Sequence, residues 1–445
     1  MALPIFPYQE DGAVYLAGRA RAGLFDEPGV GKTAQAVRAC DKRGARRVLV
    51  ICPAAVREHW RGEFMKFGLV QRRVCKGVSI HDYNAWERGI FDVLVVSFEL
   101  ATKWAPRLHE ACDVVDVVII DEGHYLKEGG TKRAQAIRGP EADGFKGVTQ
   151  WACAAWWLTG SPIPNDPLDI YTFLRFSGCM PLAKGVFCRR YFYSQPRTYS
   201  SQQKPRPEMV PELQALIANN SLRRSLAETG VQLPPIFLTT TLVDGDTQHV
   251  RDMLLQYPGL DRAIVDALKG EGGLSKIDAD HIATLRRLIG EAKAVPYGAM
   301  LLGELHSGLD KMVVFGIHKI ALNSLRAYLG QHGIQAVLVN GDTVEKDRQL
   351  YMQQFQEDPR CRVFIGNIRA AGVGLTLTAA AAIDMLESDW TPAGNAQALK
   401  RVHRLTQVRS VRARFVTLAR SFDEIVNDIV AEKTAAIAAI EQIPA

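Results

Sequence analysis

A glycine-rich segment near the start of the sequence has the residue types of a phosphate-binding loop. It runs over Gly23–Thr33 and leads into the helical pattern Ala34–Cys40. Backbone N–H groups of such a loop point at phosphate oxygens from a helix N-terminus. We expect Lys32 to reach the β and γ phosphates of ATP and the Thr33 hydroxyl to coordinate Mg²⁺, although Asp26 stands where the general pattern has glycine. The loop residues expected to contact ATP are Glu27, Pro28, Gly29, Val30, Gly31, Lys32 and Thr33.

A pair of acids follows an apolar run farther along the chain. Val117–Ile120 reads as a strand, and Asp121 and Glu122 come directly after it. Acids at the carboxyl edge of a parallel sheet lie where α/β proteins bind ligands. We expect Asp121 to hold Mg²⁺ through water and Glu122 to orient and deprotonate the attacking water.

A basic segment in the C-terminal region could supply positive charge to the same reaction. Arg401 and Arg404 are three positions apart, so on a helix they share a face and could clamp a γ-phosphate as arginine fingers. Before them, Gly372 and Gly374 stand between a strand-like run and an apolar segment. This pair predicts a close backbone approach to a ligand or to another lobe.

Short apolar runs rich in Val and Ile must position these groups. The clearest are Val48–Ile51, Val93–Val96, Val117–Ile120, Met312–Phe315, Ala336–Val339 and Val363–Ile365. Runs that are apolar on both faces favour buried parallel strands, and their alternation with helical patterns predicts an α/β protein. They fall into two sets, which predicts a first lobe over 1–180, a helical inter-lobe region over 181–295 and a second lobe over 296–445.

Composition narrows the class of protein. Hydrophobic residues make up 47% and charged residues 23% of the sequence, which is typical of a folded globular chain. The eight cysteines form no C-x-x-C pair, so we expect neither a zinc site nor a disulfide framework. No signal peptide or membrane span is indicated, and we expect a cytoplasmic protein. The formal net charge of +6 permits a nucleic-acid partner without requiring one.

Taken in order, these motifs and several others resemble the SNF2 branch of superfamily 2 helicases. The resemblance covers nearly the whole chain and is carried by Pro7–Gln9, Asp26–Thr33, Cys52–Ala54, Trp60, Asp121–His124, Leu158–Pro162, Arg223–Arg224, Leu233–Pro235, Gly341–Thr343, Gly372–Thr378, Trp390–Pro392 and Gln397–Gln407. Leu285–Arg287 and Val402–Arg404 are most similar to the annealing-helicase group of that branch.

The resemblance implies a fold and a set of roles. It implies two RecA-like parallel-sheet lobes with helical insertions between them, an ATPase activity with Mg²⁺ and a monomer without accessory domains. Gln9 would read the adenine, while Thr159, Ser161, His124 and Gln397 would link the state of ATP to DNA. The implied partner is double-stranded DNA, which includes branched DNA, on which members of this branch translocate. The protein would be associated with the nucleoid in a bacterium or phage and nuclear in a eukaryote.

The contacts to DNA are predicted from basic residues in both lobes, because phosphate contacts dominate such interfaces. The candidates are Arg57, Lys103, Lys132, Arg189, Arg190 and Arg348. Two other functions stay open at this point. One is a helicase that separates DNA or RNA strands, and the other is an ATP-gated clamp with little turnover. The presence of Glu122, Arg401 and Arg404 favours a protein that hydrolyses ATP over a clamp with little turnover.

Overall fold

The chain forms two compact units, which the structure describes over most of their length. This computed structural model describes residues 2–111, 115–139, 147–160, 162–163, 167–193, 205–269, 276–368, 375–389 and 392–430. The first unit contains the described residues up to 230, and the second contains those from 231 onward. The described residues of the predicted inter-lobe region, 181–295, are therefore divided between the two units.

The first unit contains a parallel sheet. Its strands are β1 (Arg21–Leu24), β2 (Val48–Cys52), β3 (Val74–Lys76), β4 (Val93–Ser97), β5 (Val117–Asp121), β6 (Ala154–Leu158) and β7 (Ser221–Leu222). Their order is β3-β4-β2-β5-β6-β1-β7, and every pairing is parallel. Strands β2, β4 and β6 are buried along their whole length, as expected for runs that are apolar on both faces.

Helices cover this sheet and fill its connections. They are α1 (Pro7–Ala17), α2 (Lys32–Lys42), α3 (Arg57–Phe67), α4 (Ile80–Glu87), α5 (Phe98–Ala111), α6 (Lys132–Arg138), α7 (Val148–Trp151), α8 (Ile170–Ser177), α9 (Lys184–Tyr191) and α10 (Val210–Asn220). The core that they enclose is rich in aromatic side chains, among them Trp86, Trp157 and Phe173.

The second unit is built around its own parallel sheet. Its strands are β8 (Ile236–Val243), β9 (Met312–Gly316), β10 (Gln335–Val339), β11 (Cys361–Asn367), β12 (Ala382–Met385) and β13 (Val411–Leu418), in the order β10-β11-β9-β12-β13-β8. Its helices are α11 (Gln248–Gln256), α12 (Leu260–Lys269), α13 (Lys276–His306), α14 (Lys319–Gln331), α15 (Glu345–Glu357) and α16 (Pro392–Leu399). Two apolar clusters pack against the strands of this sheet.

The α/β prediction is confirmed, and all six of the apolar runs lie in strands. The prediction of a helical inter-lobe region over 181–295 misses the strands β7 and β8, and β8 pairs with β13 along eight residues. Phe237 and Leu242 of β8 are exposed, and three threonines occupy its centre. As an edge strand with a polar centre, β8 lacks the doubly apolar pattern by which the six predicted strands were recognised.

No helix among the described residues combines the length and the apolar character that a bilayer span requires.

Candidate nucleotide site

The predicted phosphate loop connects β1 to α2. The strand ends at Leu24 and the helix begins at Lys32. Gly29 and Gly31 have φ values of 99° and 86°, a left-handed conformation that glycine adopts without a steric penalty. A Cβ atom on Gly31 would also lie 2.2 Å from Nε2 of Gln9. Both the backbone conformation and the close approach of Gln9 therefore require glycine at position 31.

The Lys32 ammonium is held inside this loop by backbone oxygens. Its Nζ donates to the carbonyl of Asp26 at 2.7 Å and to the carbonyl of Glu27 at 3.2 Å. The ammonium is thus fixed at the start of the loop, where phosphate oxygens could replace the carbonyls as acceptors.

Helix α1 contacts the loop through two side chains. Gln9 Nε2 and the Tyr8 hydroxyl both donate to the carbonyl of Val30, at 3.0 and 3.1 Å. The Phe6 N–H donates to Oε1 of Gln9 at 3.0 Å, which fixes the orientation of the amide. The structure therefore places Gln9 against the phosphate loop, and the reading of adenine by Gln9 stays a prediction.

The acidic pair lies at the carboxyl edge of the same sheet. Asp121 is the last residue of β5 and pairs with Leu158 of β6, which also pairs with Leu24 at the end of β1. The strand that carries the acids and the strand that leads into the phosphate loop therefore end at the same register position of the sheet. Glu122 has a φ of 52°, an uncommon conformation for a residue with a side chain, of the kind found at functional sites.

The Asp121 carboxylate has an unusual environment. Its Oδ2 accepts a hydrogen bond from the indole N–H of Trp60 at 2.8 Å, and its Oδ1 accepts one from the Glu122 N–H at 3.0 Å. Burial and then the charge of Glu122 raise the pKa of Asp121 to about 6, against the opposing effects of Trp60 and of the Lys32 charge. A nearby cation would stabilise the ionised form.

These oxygen donors fit a magnesium ion. Mg²⁺ prefers carboxylate, hydroxyl and water oxygens, which Asp121 and Thr33 can supply directly or through water. The Asp121 carboxylate is buried beside that of Glu122, and both effects raise its pKa, so a cation bound here would stabilise its ionised form. Thr33 and Asp121 therefore stay the predicted residues that could hold the ion.

A histidine connects the acidic pair to the end of β6. His124 Nδ1 lies 3.0 Å from the hydroxyl oxygen of Thr159 and 3.3 Å from Oε2 of Glu122. Thr159 is fully buried, and its N–H donates to the carbonyl of Leu24. Two of the predicted coupling residues, His124 and Thr159, are thus brought together beside Glu122. Ser161, another of the four predicted coupling residues, lies outside the described residues.

The predicted groups of the second unit have a different local structure from the one expected. Helix α16 ends at Leu399, so Arg401 and Arg404 lie in the turns that follow it and not on a helix face. The Gln407 side chain holds these turns by donating to the carbonyls of Ala380 and Val402. The prediction of a shared helical face is wrong for this reason.

The remaining predicted residues of the second unit are placed as follows. Arg404 Nη1 donates to the Thr376 hydroxyl at 2.7 Å, which holds its guanidinium against the chain after the predicted glycine pair. Gln397 lies on α16 and is half-buried. Gly372 and Gly374 lie outside the described residues.

The predicted DNA contacts differ in how far they are free to bind. Lys103, Lys132 and Arg189 are exposed, and none of them forms an ion pair with a described residue. Arg190 is paired with Glu212 at 2.9 Å. Arg57 donates to the carbonyls of Ala54 and Gly77, and Arg348 is half-buried on α15.

Trp60 is a site residue whose role the sequence does not reveal. It is fully buried on α3, and its N–H reaches the acid at the end of β5. A tryptophan at this position is compatible with base stacking or with core packing, and no spacing in the sequence indicates a hydrogen bond to Asp121.

A phosphate loop beside a strand-end acidic pair, in one of two consecutive parallel-sheet units, is typical of a phosphate-loop nucleotide-binding protein. Residues 8–253 match the SNF2-related domain, and residues 298–406 match the helicase conserved C-terminal domain. The first match alone covers more than half of the chain, so this chain belongs to the SNF2-related family. The predictions of that family and of two RecA-like lobes are confirmed.

Similar proteins agree with this assignment. The chain is 26% identical over 441 residues to the SWI/SNF-related matrix-associated actin-dependent regulator of chromatin subfamily A-like protein 1 of Xenopus tropicalis, covering 96% of this chain and 44% of that protein. It is 24% identical over 438 residues to the human DNA annealing helicase and endonuclease ZRANB3, covering 95% of this chain and 39% of that protein. The chain therefore spans less than half the length of each of these relatives.

The Sulfolobus solfataricus SWI2/SNF2 ATPase core in complex with dsDNA aligns over 99% of this chain and 96% of that chain, with a TM-score of 0.45 and 18% identity.

Proposed function

We propose that this protein hydrolyses Mg-ATP in a DNA-dependent manner and uses the energy to translocate on double-stranded DNA. Such a motor would remodel branched DNA or protein–DNA complexes in repair, replication or transcription. The observation that carries the proposal is the continuous connection from the phosphate loop to Glu122, His124 and Thr159 at one edge of the first sheet.

Each residue has a defined part in the proposed reaction. The Lys32 ammonium exchanges its carbonyl partners for phosphate oxygens and neutralises charge that develops on them. Glu122 accepts the proton of the attacking water, whose oxygen forms a bond to the γ-phosphorus as the bond to ADP breaks. Magnesium, held by Thr33 and Asp121, would neutralise phosphate charge. Arg401 and Arg404 are proposed to stabilise the charge of the transition state.

DNA enters the proposal through the family and through the surface of the first unit. The related human protein is named as a DNA annealing helicase. Lys103, Lys132 and Arg189 are exposed cations that are free to contact phosphates. His124 and Thr159 offer a path by which DNA contacts could alter the position of Glu122.

The test is ATP hydrolysis by the purified chain without nucleic acid and with duplex DNA, branched DNA, single-stranded DNA or RNA. We expect duplex DNA to stimulate hydrolysis, and Glu122→Gln to reduce the stimulated rate by about 100-fold or more. Translocation is then measured by displacement of a triplex-forming strand from the duplex. Stimulation by single strands alone would contradict duplex translocation and support a strand-separating helicase. ATP binding without turnover would support a clamp.

A further inference from the structure

The segment by which the chain leaves the first unit runs beside the entry to the phosphate loop. Strand β7 pairs with the end of β1. The pairing continues past both strands, because the Phe25 N–H donates to the carbonyl of Leu222 at 2.7 Å and the Glu27 N–H donates to that of Arg224 at 3.1 Å. Leu226 then donates its N–H to the Glu27 carboxylate at 3.1 Å. We call residues 223–230 the exit segment, since the second unit begins at residue 231.

Arg224 of the exit segment binds the first residue of the loop pattern. Its Nε and Nη2 donate to the two carboxylate oxygens of Asp26, at 3.1 and 2.6 Å. Gln35 of α2 completes the cluster, since its Nε2 donates to Asp26 at 2.9 Å and its Oε1 accepts from Arg224 at 2.7 Å. Asp26 and Gln35 are fully buried. Paired guanidinium and carboxylate bonds of this kind fix position and orientation together.

Helix α1 is shaped around this cluster. A Cβ atom on Gly12 would lie 1.8 Å from Oε1 of Gln35 and 2.7 Å from Nη2 of Arg224. Arg224 Nη1 also donates to the carbonyl of Tyr8 on the same helix. The absence of a side chain at position 12 therefore leaves room for the cluster to reach the loop.

The charge balance of the cluster bears directly on substrate binding. Asp26 places a buried negative charge at the entrance of a loop that must receive an anionic triphosphate, and Arg224 balances it. Loss of the guanidinium would leave an unpaired buried carboxylate, which is costly and which repels phosphate. The carbonyl of Asp26 also holds the Lys32 ammonium, so a displaced Asp26 would displace Lys32 as well.

We infer that Arg224 is a positioning residue for ATP binding, and that its cluster with Asp26 and Gln35 links the exit segment to the phosphate loop. Arg224 sets the conformation and the charge of the loop. Because Arg224 belongs to the exit segment, a displacement of that segment would change the affinity of the loop for ATP. This inference rests on the proposed hydrolysis of ATP, because it assigns the loop as the site of the substrate.

The test compares Arg224→Met with Arg223→Met, which removes the neighbouring exposed arginine. ATP hydrolysis is measured with duplex DNA, and the Kd of a fluorescent ATP analogue is measured without it. We expect Arg224→Met to raise both KM and Kd by about tenfold or more while kcat changes by less than about threefold. Arg223→Met should match the unchanged protein in all three constants. A loss of folded protein would instead lower kcat at constant KM. A raised KM and Kd with a nearly constant kcat therefore distinguishes weaker ATP binding from a loss of folded protein.

A double variant tests the electrostatic part. Adding Asp26→Asn to Arg224→Met removes the unbalanced charge, and we expect the Kd to recover by at least about threefold. The inference is overturned if Arg224→Met binds the analogue as tightly as Arg223→Met does, or if the double variant binds no better than Arg224→Met. If Arg224→Met does not fold, Gly12→Ala is used, because it displaces the cluster without changing any charge; unchanged binding in that variant likewise overturns the inference.

A failure of the proposed function can be distinguished from a failure of the inference about Arg224. An unchanged protein that binds the analogue but hydrolyses no ATP contradicts the proposed function, and the binding comparison still decides the role of Arg224.

Discussion

At the residue scale, the indole of Trp60 fixes one oxygen of Asp121. The ring is fully buried on α3, and its N–H lies 2.8 Å from Oδ2. A hydrogen bond to a charged acceptor is worth about 1.5–3 kcal/mol. Oδ1 accepts from the Glu122 N–H, so each oxygen of the carboxylate has one donor among the described residues. Trp60 thereby sets the orientation in which Asp121 would meet magnesium.

Replacing Trp60 with phenylalanine removes this donor and keeps an aromatic ring in the core. We expect Trp60→Phe to raise the Mg²⁺ concentration needed for half-maximal ATP hydrolysis by about tenfold, because Asp121 loses its fixed orientation. The measurement is a magnesium titration of the ATPase rate at saturating ATP.

Trp86→Phe is the matched control for this change. Trp86 is also fully buried, but its indole N–H has no hydrogen-bond partner among the described residues. The Trp86→Phe substitution should therefore cost packing energy without changing the Mg²⁺ concentration needed for half-maximal hydrolysis. If both variants needed the same Mg²⁺ concentration for half-maximal hydrolysis, Trp60 would have no role in orienting Asp121 for magnesium.

At the scale of elements, strands that are apolar on both faces could be predicted from the sequence, and the polar edge strand β8 could not. Val48–Ile51 and Val93–Val96 are apolar on both faces because the sheet buries both faces, and this pattern is legible in sequence. Strand β8 carries a polar, partly exposed pattern, since only one of its edges is paired within the part of the chain that the structure describes. The turns around Arg401 depend on hydrogen bonds from Gln407 to distant carbonyls, which no local propensity encodes.

In the site, too, local sequence motifs could be predicted and contacts between distant residues could not. The phosphate loop and the acidic pair could be predicted because each is a contiguous motif with its own strand–turn pattern. The contacts of Trp60 with Asp121 and of Arg224 with Asp26 join residues far apart in sequence. Such pairings are decided by the register of the sheet and not by local spacing.

The ends of β5 and β6 are joined through His124, and this junction can be tested alone. Thr159→Val keeps the shape of the buried side chain and removes the oxygen that lies 3.0 Å from His124 Nδ1. We expect the DNA-stimulated ATPase rate to fall about tenfold, and by more than the rate without DNA, because the link between the two strand ends is broken. The measurement is the ATPase rate with and without duplex DNA.

A second threonine provides the comparison. Thr172 is also buried, and its hydroxyl donates to the carbonyl of Lys127 at 2.7 Å, apart from the acidic pair. Thr172→Val should reduce thermal stability and leave the ratio of stimulated to unstimulated rates unchanged. A proportional fall of both rates in Thr159→Val would show that Thr159 supports the fold without coupling.

At the scale of the whole molecule, the groups assigned to the reaction are divided between two units. Lys32, Asp121 and Glu122 belong to the first unit, and Arg401 and Arg404 belong to the second. Each unit has its own sheet and its own core. The proposed chemistry therefore makes nucleotide binding a property of the first unit and rapid hydrolysis a property of both.

Arg404→Lys tests this division. Lysine keeps the charge but cannot reproduce the planar guanidinium, so we expect kcat to fall about 1,000-fold, while the Kd of a fluorescent ATP analogue changes by only a few-fold. Arg409→Lys, at an exposed arginine of the same unit, should leave both constants unchanged. A large loss of analogue affinity in Arg404→Lys would contradict a role confined to the transition state.

The common pairing partner of β1 and β5 limits how this chain can change length during evolution. Leu24 and Asp121 are aligned because both pair with Leu158, the last residue of the five-residue strand β6. A single inserted residue in β6 would reverse the faces of the side chains on one side of the insertion and shift one motif against the other. The connection between α11 and α12 lies in the second unit and takes no part in this pairing, so it can lengthen without changing the register of β1, β5 and β6. Insertions and deletions among natural variants of this chain should therefore accumulate in that connection, while β6 keeps a constant length.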